Sequence, residues 1–232
     1  MKKTHLLLLI LLLNLLPVTS FAEQGDWIVR LRAIGIIPDD ESSVINLNGT
    51  PLAGSGVGVD NAVTAELDIT YMITKHIGIE AIAGTGKHTV SLEGPGATLA
   101  GVGTPALADG DELFDLWVIP PTISLQYHFM PDSNIRPYVG AGINYTFFTD
   151  DEATSQLESK LNQGVHVSTE NGFGWSLQAG LDYDINDKFF ANVDVKYIDI
   201  DTTAALDTTL GTLKVDLDVD PWVVGVGIGM RF

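Results

Sequence analysis

Apolar and polar residues alternate one for one through the last strand-like segment of the chain. Trp222, Val224, Val226, Ile228, Met230 and Phe232 fall on one face, and Val223, Gly225, Gly227, Gly229 and Arg231 on the other. A period of two is the signature of a β-strand whose faces see different surroundings. Ten steps of ~3.3 Å, tilted by about 40°, rise roughly 25 Å, the height of the apolar band of an outer-membrane barrel. Aromatic residues close both ends of the apolar face. Beyond Trp222 the same face carries Asp220, Asp218 and Asp216. Carboxylates are excluded from hydrocarbon, so the band ends there.

Seven further segments show the same alternation. Trp27, Val29, Leu31 and Ala33 oppose Arg30 and Arg32. Val63 to Ile73 opposes Thr64, Glu66, Asp68 and Thr70, and a turn at Thr74-Lys75-His76 leads into Ile77, Ile79, Ala81 and Ala83, opposed by Gly78, Glu80 and Ile82. Ile123 to Phe129 and Val139 to Phe147 flank a Pro-Asp-Ser-Asn turn at 131–134, a sequence rich in turn formers. Phe173 to Tyr183 and Phe189 to Tyr197 flank Asn186-Asp187-Lys188, and the inner face of the last carries Asn192, Asp194 and Lys196. Short connections near 74–76, 131–135 and 185–188 alternate with long ones near 38–58, 94–112, 149–172 and 202–213. The expected fold is all-β, an eight-stranded antiparallel transmembrane β-barrel with short periplasmic turns and longer extracellular loops. Within the third long loop, Glu152 to Gln163 reads as a short amphipathic helix, with Leu157 and Leu161 four residues apart.

Alternation alone does not say which face is inside. A soluble barrel of lipocalin type keeps apolar residues inward. The N-terminus favours the membrane. Lys2 and Lys3 precede an apolar run from Leu6 to Leu16, Pro17 ends it, and Ser20-Phe21-Ala22 supplies small residues for cleavage. Residues 1–22 are expected to be a signal peptide and 23–232 the barrel domain. The aromatic ends of the apolar face agree with that choice.

Composition then removes function classes. The net charge of −18 becomes −20 without Lys2 and Lys3, so nucleic acid is not an expected partner. The chain has no cysteine, which excludes thiol catalysis, disulfides and cysteine-based metal sites. Ser124 and His128 lie four residues apart on one strand, about 13 Å by strand rise, beyond the reach of a nucleophile and its base. No catalytic, cofactor or metal site is expected, and the chain does not read as an enzyme.

Six segments carry a family resemblance: GDWIVRLRAIGIIPDD at 25–40, TYMITKHIGIEAIAGT at 70–85, PPTISLQYHF at 120–129, IRPYVGAGINYTFF at 135–148, YIDIDTTA at 197–204 and DPWVVGVGIGMRF at the C-terminus. In order and spacing they resemble the outer membrane protein W family, over nearly the whole chain after residue 22. The resemblance implies a narrow eight-stranded barrel in the outer membrane of a Gram-negative bacterium, with an apolar pocket opening outward, linked to uptake of small hydrophobic molecules. Lys196 departs from it, since an apolar gate would want a large apolar residue there. Ile82, Phe190 and Ile198 remain as inward apolar candidates.

Further expectations concern particular residues. Arg30, Arg32, Glu66, Asp68, Glu80, Asp194 and Arg231 point inward, and buried charges must pair, so a network filling the lower interior is expected. Lys196 joins Ile82, Phe190 and Ile198 as lining. Pro120 and Pro121 cannot donate to a strand ladder, which suggests a lateral exit, with an ordinary strand end as the alternative. Ile45, Leu47, Leu52, Leu99 and Leu107 form a loop funnel in a transport reading. Asp199, Asp201, Asp216, Asp218 and Asp220 share an outer face; a solvated surface is the plainer reading and divalent bridging to lipopolysaccharide the sharper one. The function expected is passive transfer of small hydrophobic molecules, with outer-membrane lipids and lipopolysaccharide as surroundings. The alternative is a structural or surface-interaction barrel serving adhesion or as a phage or toxin receptor.

Overall fold

The computed structural model describes residues 24–94 and 107–232. The expected signal peptide and Leu99 lie outside the described residues. From the N-terminus, β1 (Trp27–Ile37) is followed by the short strands β2 (Glu41–Ser42), β3 (Asn46–Leu47), β4 (Thr50–Pro51) and β5 (Gly56–Val59). Then come β6 (Ala62–Met72), β7 (Ile77–Gly84), β8 (Gly86–Glu93), β9 (Glu112–Ile119), β10 (Thr122–His128) and β11 (Ile135–Ala153). One helix, α1 (Ser155–Leu161), precedes β12 (His166–Thr169), β13 (Gly172–Asp184), β14 (Phe189–Ile198), β15 (Asp201–Thr208), β16 (Gly211–Asp218) and β17 (Trp222–Arg231).

Eight of these strands close into a barrel. Going round, β1 pairs with β6, β6 with β7, β7 with β10, β10 with β11, β11 with β13, β13 with β14, β14 with β17, and β17 with β1, all antiparallel. They are the eight segments that the alternation marks out. Closure leaves no unpaired edge, which a sheet in lipid requires because hydrocarbon offers backbone groups no partner. The outward face carries Leu31, Leu67, Ile123, Ile143, Leu177, Val193 and Val226, all exposed. Aromatic rings ring it at both ends. Trp27 meets Tyr71 at 5.0 Å near the lower rim, and near the upper rim Trp175, Tyr197 and Trp222 meet at 5.4 Å.

The long connections are not loose loops. They continue the sheet upward as a second storey, in which β5, β8, β9, the upper part of β11, β12, β15 and β16 pair in turn, and β2 and β3 add to β16. The side of that wall between β5 and β2 is stitched by side chains: Ser42 Oγ accepts from the Val57 amide at 2.8 Å and Ser55 Oγ from the Ile45 amide at 3.1 Å.

Polarity inverts between the storeys while side-chain parity is kept. Along β7 and β8, Ile79 and Ala81 face lipid and Glu80 faces the lumen; higher up, Lys87, Ser91 and Glu93 face outward, and Val90 and Leu92 are buried inside. The β14–β15 hairpin arm repeats this, from Asp194 and Lys196 inside to Ile198, Ile200, Ala204 and Leu206 inside. The cause is the external medium. Where lipid surrounds the wall the polar residues turn in, and where water surrounds it the apolar residues do. The upper storey therefore has an apolar core, centred on Phe114, Leu116, Leu157, Val167, Leu213 and Leu217. The α1 helix caps it, with Leu157 buried, Thr154 Oγ1 accepting from the Leu157 amide at its N-terminus, and Asn162 in the left-handed conformation at its C-terminus.

Candidate functional site

The lower lumen is filled by charge. Arg30 pairs with Asp182 at 2.9 Å and Asp68 at 3.2 Å, and donates to Thr70 at 3.0 Å. Arg32 reaches Asp194 at 2.9 Å and Glu66 at 3.3 Å, and also contacts Asp68 and Glu80. Lys196 Nζ donates to Glu66 Oε2 at 2.9 Å. Below these, Arg136 and Arg231 both hold Asp184. Neutral groups knit the pairs together: Tyr138 donates to Asp194 at 2.8 Å, Asn192 to Asp182 at 2.8 Å, and Gln178 to Glu80. An eight-stranded barrel has room inside for side chains and little else.

All seven residues expected in the interior network thus lie in it. Arg136, Asp182 and Asp184 extend it, and the alternation through β11 and β13 already carried that signal. Phe190 is fully buried, but not on a ligand path. It sits at the floor with Ile28 and Met72, under the guanidinium groups of Arg30, Arg136 and Arg231 at 5.2–5.7 Å from its ring centre. Gly229 makes this seat, since a Cβ there would collide with the Phe190 ring.

Directly above the plug the lining turns apolar and a narrow cavity of about 60 Å³ opens. Ile34, Ile82, Val118, Pro120, Phe148 and Ile198 are among its walls, with Lys196 and Glu66 at its floor. At this size it takes a short alkyl chain or one edge of a ring. Of the expected lining residues, Ile82, Ile198, Lys196 and Pro120 meet there; Pro121 is exposed on the outer face. Thr85 and His88 also line it and were not singled out from the sequence; nothing but their place just past Gly84 on an alternating segment marks them.

The cavity abuts a break in the wall. The β7–β10 ladder runs up to Ile82 opposite Thr122, and the β8–β9 ladder resumes at Gly86 opposite Val118. Between them, Ala83–Thr85 face Ile119–Pro121 without ladder pairing. Two of those three residues on the second strand are prolines, which have no N–H to give. On the other side of Pro121 pairing persists, the Tyr145 amide donating to the Pro121 carbonyl at 3.3 Å. Ala83, Ile119 and Pro121 present an apolar outer rim to the break, level with Tyr145 and Phe147.

The remaining expected residues lie higher. Ile45 and Leu107 are buried in the upper core, with Leu47 and Leu52 packed against it. Ile45, Leu52 and Leu107 surround a second apolar void of about 20 Å³. They form a closed core in place of an open funnel, because β2, β3 and β5 continue the wall upward and turn these side chains into its apolar interior. Asp199, Asp201 and Asp220 do come together, their carboxylate oxygens within 4.8 Å of one another. Asp220 is already engaged, accepting from the Tyr197 hydroxyl at 2.8 Å and the Ile200 amide at 3.1 Å. Asp216 instead accepts from Thr203 at 2.9 Å.

A closed eight-stranded sheet, lipid-facing on its outside and charged within, defines a transmembrane β-barrel protein of the outer membrane. The family model for the OmpW family matches residues 23–232, and the chain belongs to that family. It is similar to outer membrane protein W of Vibrio cholerae, 31% identical over 90% of each chain. Its fold matches the crystal structure of outer membrane protein OprG from Pseudomonas aeruginosa with a TM-score of 0.81 and 33% identity, covering 92% of this chain and 98% of the other. Another relative, 24% identical over 92% of each chain, is the dibenzothiophene metabolism operon protein PahQ of Pseudomonas aeruginosa.

Proposed function

We propose that this barrel passively transfers small hydrophobic molecules across the outer membrane, taking them up in the apolar cavity and releasing them sideways through the wall at Pro120. The observation that carries this reading is the coincidence of the cavity with the unpaired rungs. An apolar space that ends on a charged plug offers no downward route, because desolvated ion pairs neither part cheaply nor welcome an apolar solute. The unpaired stretch between Ala83–Thr85 and Ile119–Pro121 lies beside it and faces lipid. Transfer needs no energy source and no covalent chemistry; partitioning into the bilayer drives it. A relative named for dibenzothiophene metabolism, an apolar aromatic compound, supports the substrate class. The upper core must part for a molecule to descend from outside, and its packing is the step that selects for size.

The test is uptake of a small alkane into cells with and without the protein, beside a large polar solute as control. Faster uptake of the alkane alone is expected. Equal uptake with and without the protein would leave a barrel of structural or receptor type, serving adhesion, a phage or a toxin.

A further inference from the structure

The cavity wall beside the break is not wholly apolar. His88 is buried and its Nδ1 lies 2.9 Å from the Asp60 backbone carbonyl. A carbonyl only accepts, so Nδ1 carries the proton, and in the neutral ring Nε2 is left as a bare acceptor. Nε2 has no hydrogen-bond partner and lies over Gly86, where a Cβ would come within 2.8 Å of it. Gly86 is thus the residue that lets the ring lie down against the cavity wall. Thr85 is next in the chain. It lines the same cavity, and its Oγ1 is buried and has no partner. A buried hydroxyl without a partner is costly in an apolar surrounding. Val at this position would fill the same volume without that penalty. Two unused hydrogen-bonding groups, one accepting and one able to do either, therefore belong to residues that line the cavity beside the break.

We infer that the cavity takes small amphiphiles, a neutral ring or short chain bearing one hydroxyl, and reads the hydroxyl with His88 Nε2 and Thr85 Oγ1. This rests on the transfer reading and narrows its substrate class. An anionic head group is disfavoured. The lumen below already holds Glu66, Asp68, Glu80, Asp182, Asp184 and Asp194 against Arg30, Arg32, Arg136, Arg231 and Lys196, so it carries an excess of negative charge. Lys196, the one lysine or arginine among the described residues lining the cavity, is engaged by Glu66. A hydroxyl gives His88 the donor it lacks and Thr85 a partner of either kind, and carries no charge into a water-poor site.

The experiment compares 4-fluorophenol with 4-fluorotoluene, a pair differing by a hydroxyl in place of a methyl group. Fluorine NMR titrations use the full-length protein in lipid nanodiscs, with protein-free nanodiscs as the blank. The expected result is a preference of about tenfold for the phenol after lipid partitioning is subtracted, the size of one well-made hydrogen bond. In Thr85→Val/His88→Leu the ratio should fall to about one, with folding checked by heat-modifiable mobility on gels. Thr85→Val alone should lower it partway, and this change carries no folding risk. Equal binding of the two probes to the unaltered protein would overturn the inference and leave hydrophobic transfer standing. Binding of neither would overturn both.

Discussion

At the scale of single residues, the lumen holds its charges in pairs, and the pairs differ in what they do. Lys196 and Glu66 form the lid of the plug and the floor of the cavity. Truncating one partner strands the other in a place with no water to receive it. Lys196→Met is therefore expected to destabilise the barrel by about 3–5 kcal/mol, read by urea unfolding in lipid vesicles. Lys196→Met with Glu66→Met should recover most of that loss, because Arg32 keeps Asp194 and Asp68. A double variant as weak as the single one would mean that the pair is stabilising in its own right. The charged interior was legible from the sequence, since period-two alternation puts Arg30, Arg32, Asp68 and Glu80 on one face and the N-terminus and aromatic ends turn that face inward. The partners were not: alternation gives a face and no register, and Arg30 reaches Asp182 across 152 positions of chain. The cavity groups Thr85 and His88 were hidden for another reason. They follow the point where the medium outside changes from lipid to water, and a rule that equates apolar with outward fails there.

At the scale of elements, the unpaired rungs between Ala83–Thr85 and Ile119–Pro121 are the feature on which the proposed transfer depends. Pro120→Thr/Pro121→Thr returns two N–H groups to the second strand. The ladders above and below are already in one register, Ile82 with Thr122 and Gly86 with Val118, so the rungs between can close without a slip. The variant should fold, resist unfolding at least as well as the parent, and slow the uptake of a small alkane several-fold. The upper storey has its own pH dependence. Partial burial pushes the Asp111 carboxyl up, but the Lys160 ammonium and the Ala108 amide outweigh it and hold it below its ordinary 3.8. Its contribution is present above 3.8 and is lost as pH falls through the lowered value. Asp201 is held above 3.8, by partial burial first and then by Asp199, Asp218 and Asp220. Its contribution is present below 3.8 and is lost as pH rises through the raised value. Acidifying from neutral towards 4 should firm the upper storey, and going well below 3.8 should loosen the tether of α1. Limited proteolysis across that range reads both, and Asp201→Asn should abolish the first effect alone. The sequence marks this storey only as long connections, because its strands do not keep the apolar-outward alternation of the membrane strands; the α1 helix is legible from its Leu157–Leu161 spacing.

At the scale of the molecule, two storeys of one wall stand end to end with opposite polarity, and the cavity lies where they meet. The lower one is full, the upper one is an apolar core, and the soft place in the wall is between them. Such a molecule should pass no steady ion current. In planar bilayers the full chain is expected to show no lasting porin-like steps at neutral pH; a stable open level would contradict a filled lumen. The eight membrane strands were legible because lipid demands strict alternation over each one. The upward continuation was not, because water on the outside tolerates a looser pattern and the short strands β2 to β5 add little signal of their own.

The most direct test is a reversible lock on the break. The chain contains no cysteine, so Ala83→Cys/Pro121→Cys introduces a single pair, on facing positions one rung above Ile82 and Thr122. Transfer of a small apolar probe into lipid vesicles bearing the variant is followed with the pair oxidised and again after a reductant. Sideways release predicts slow transfer while the disulfide holds and recovery when it is cut. Equal rates in the two states, with the cross-link verified, would mean that the molecule leaves by another way.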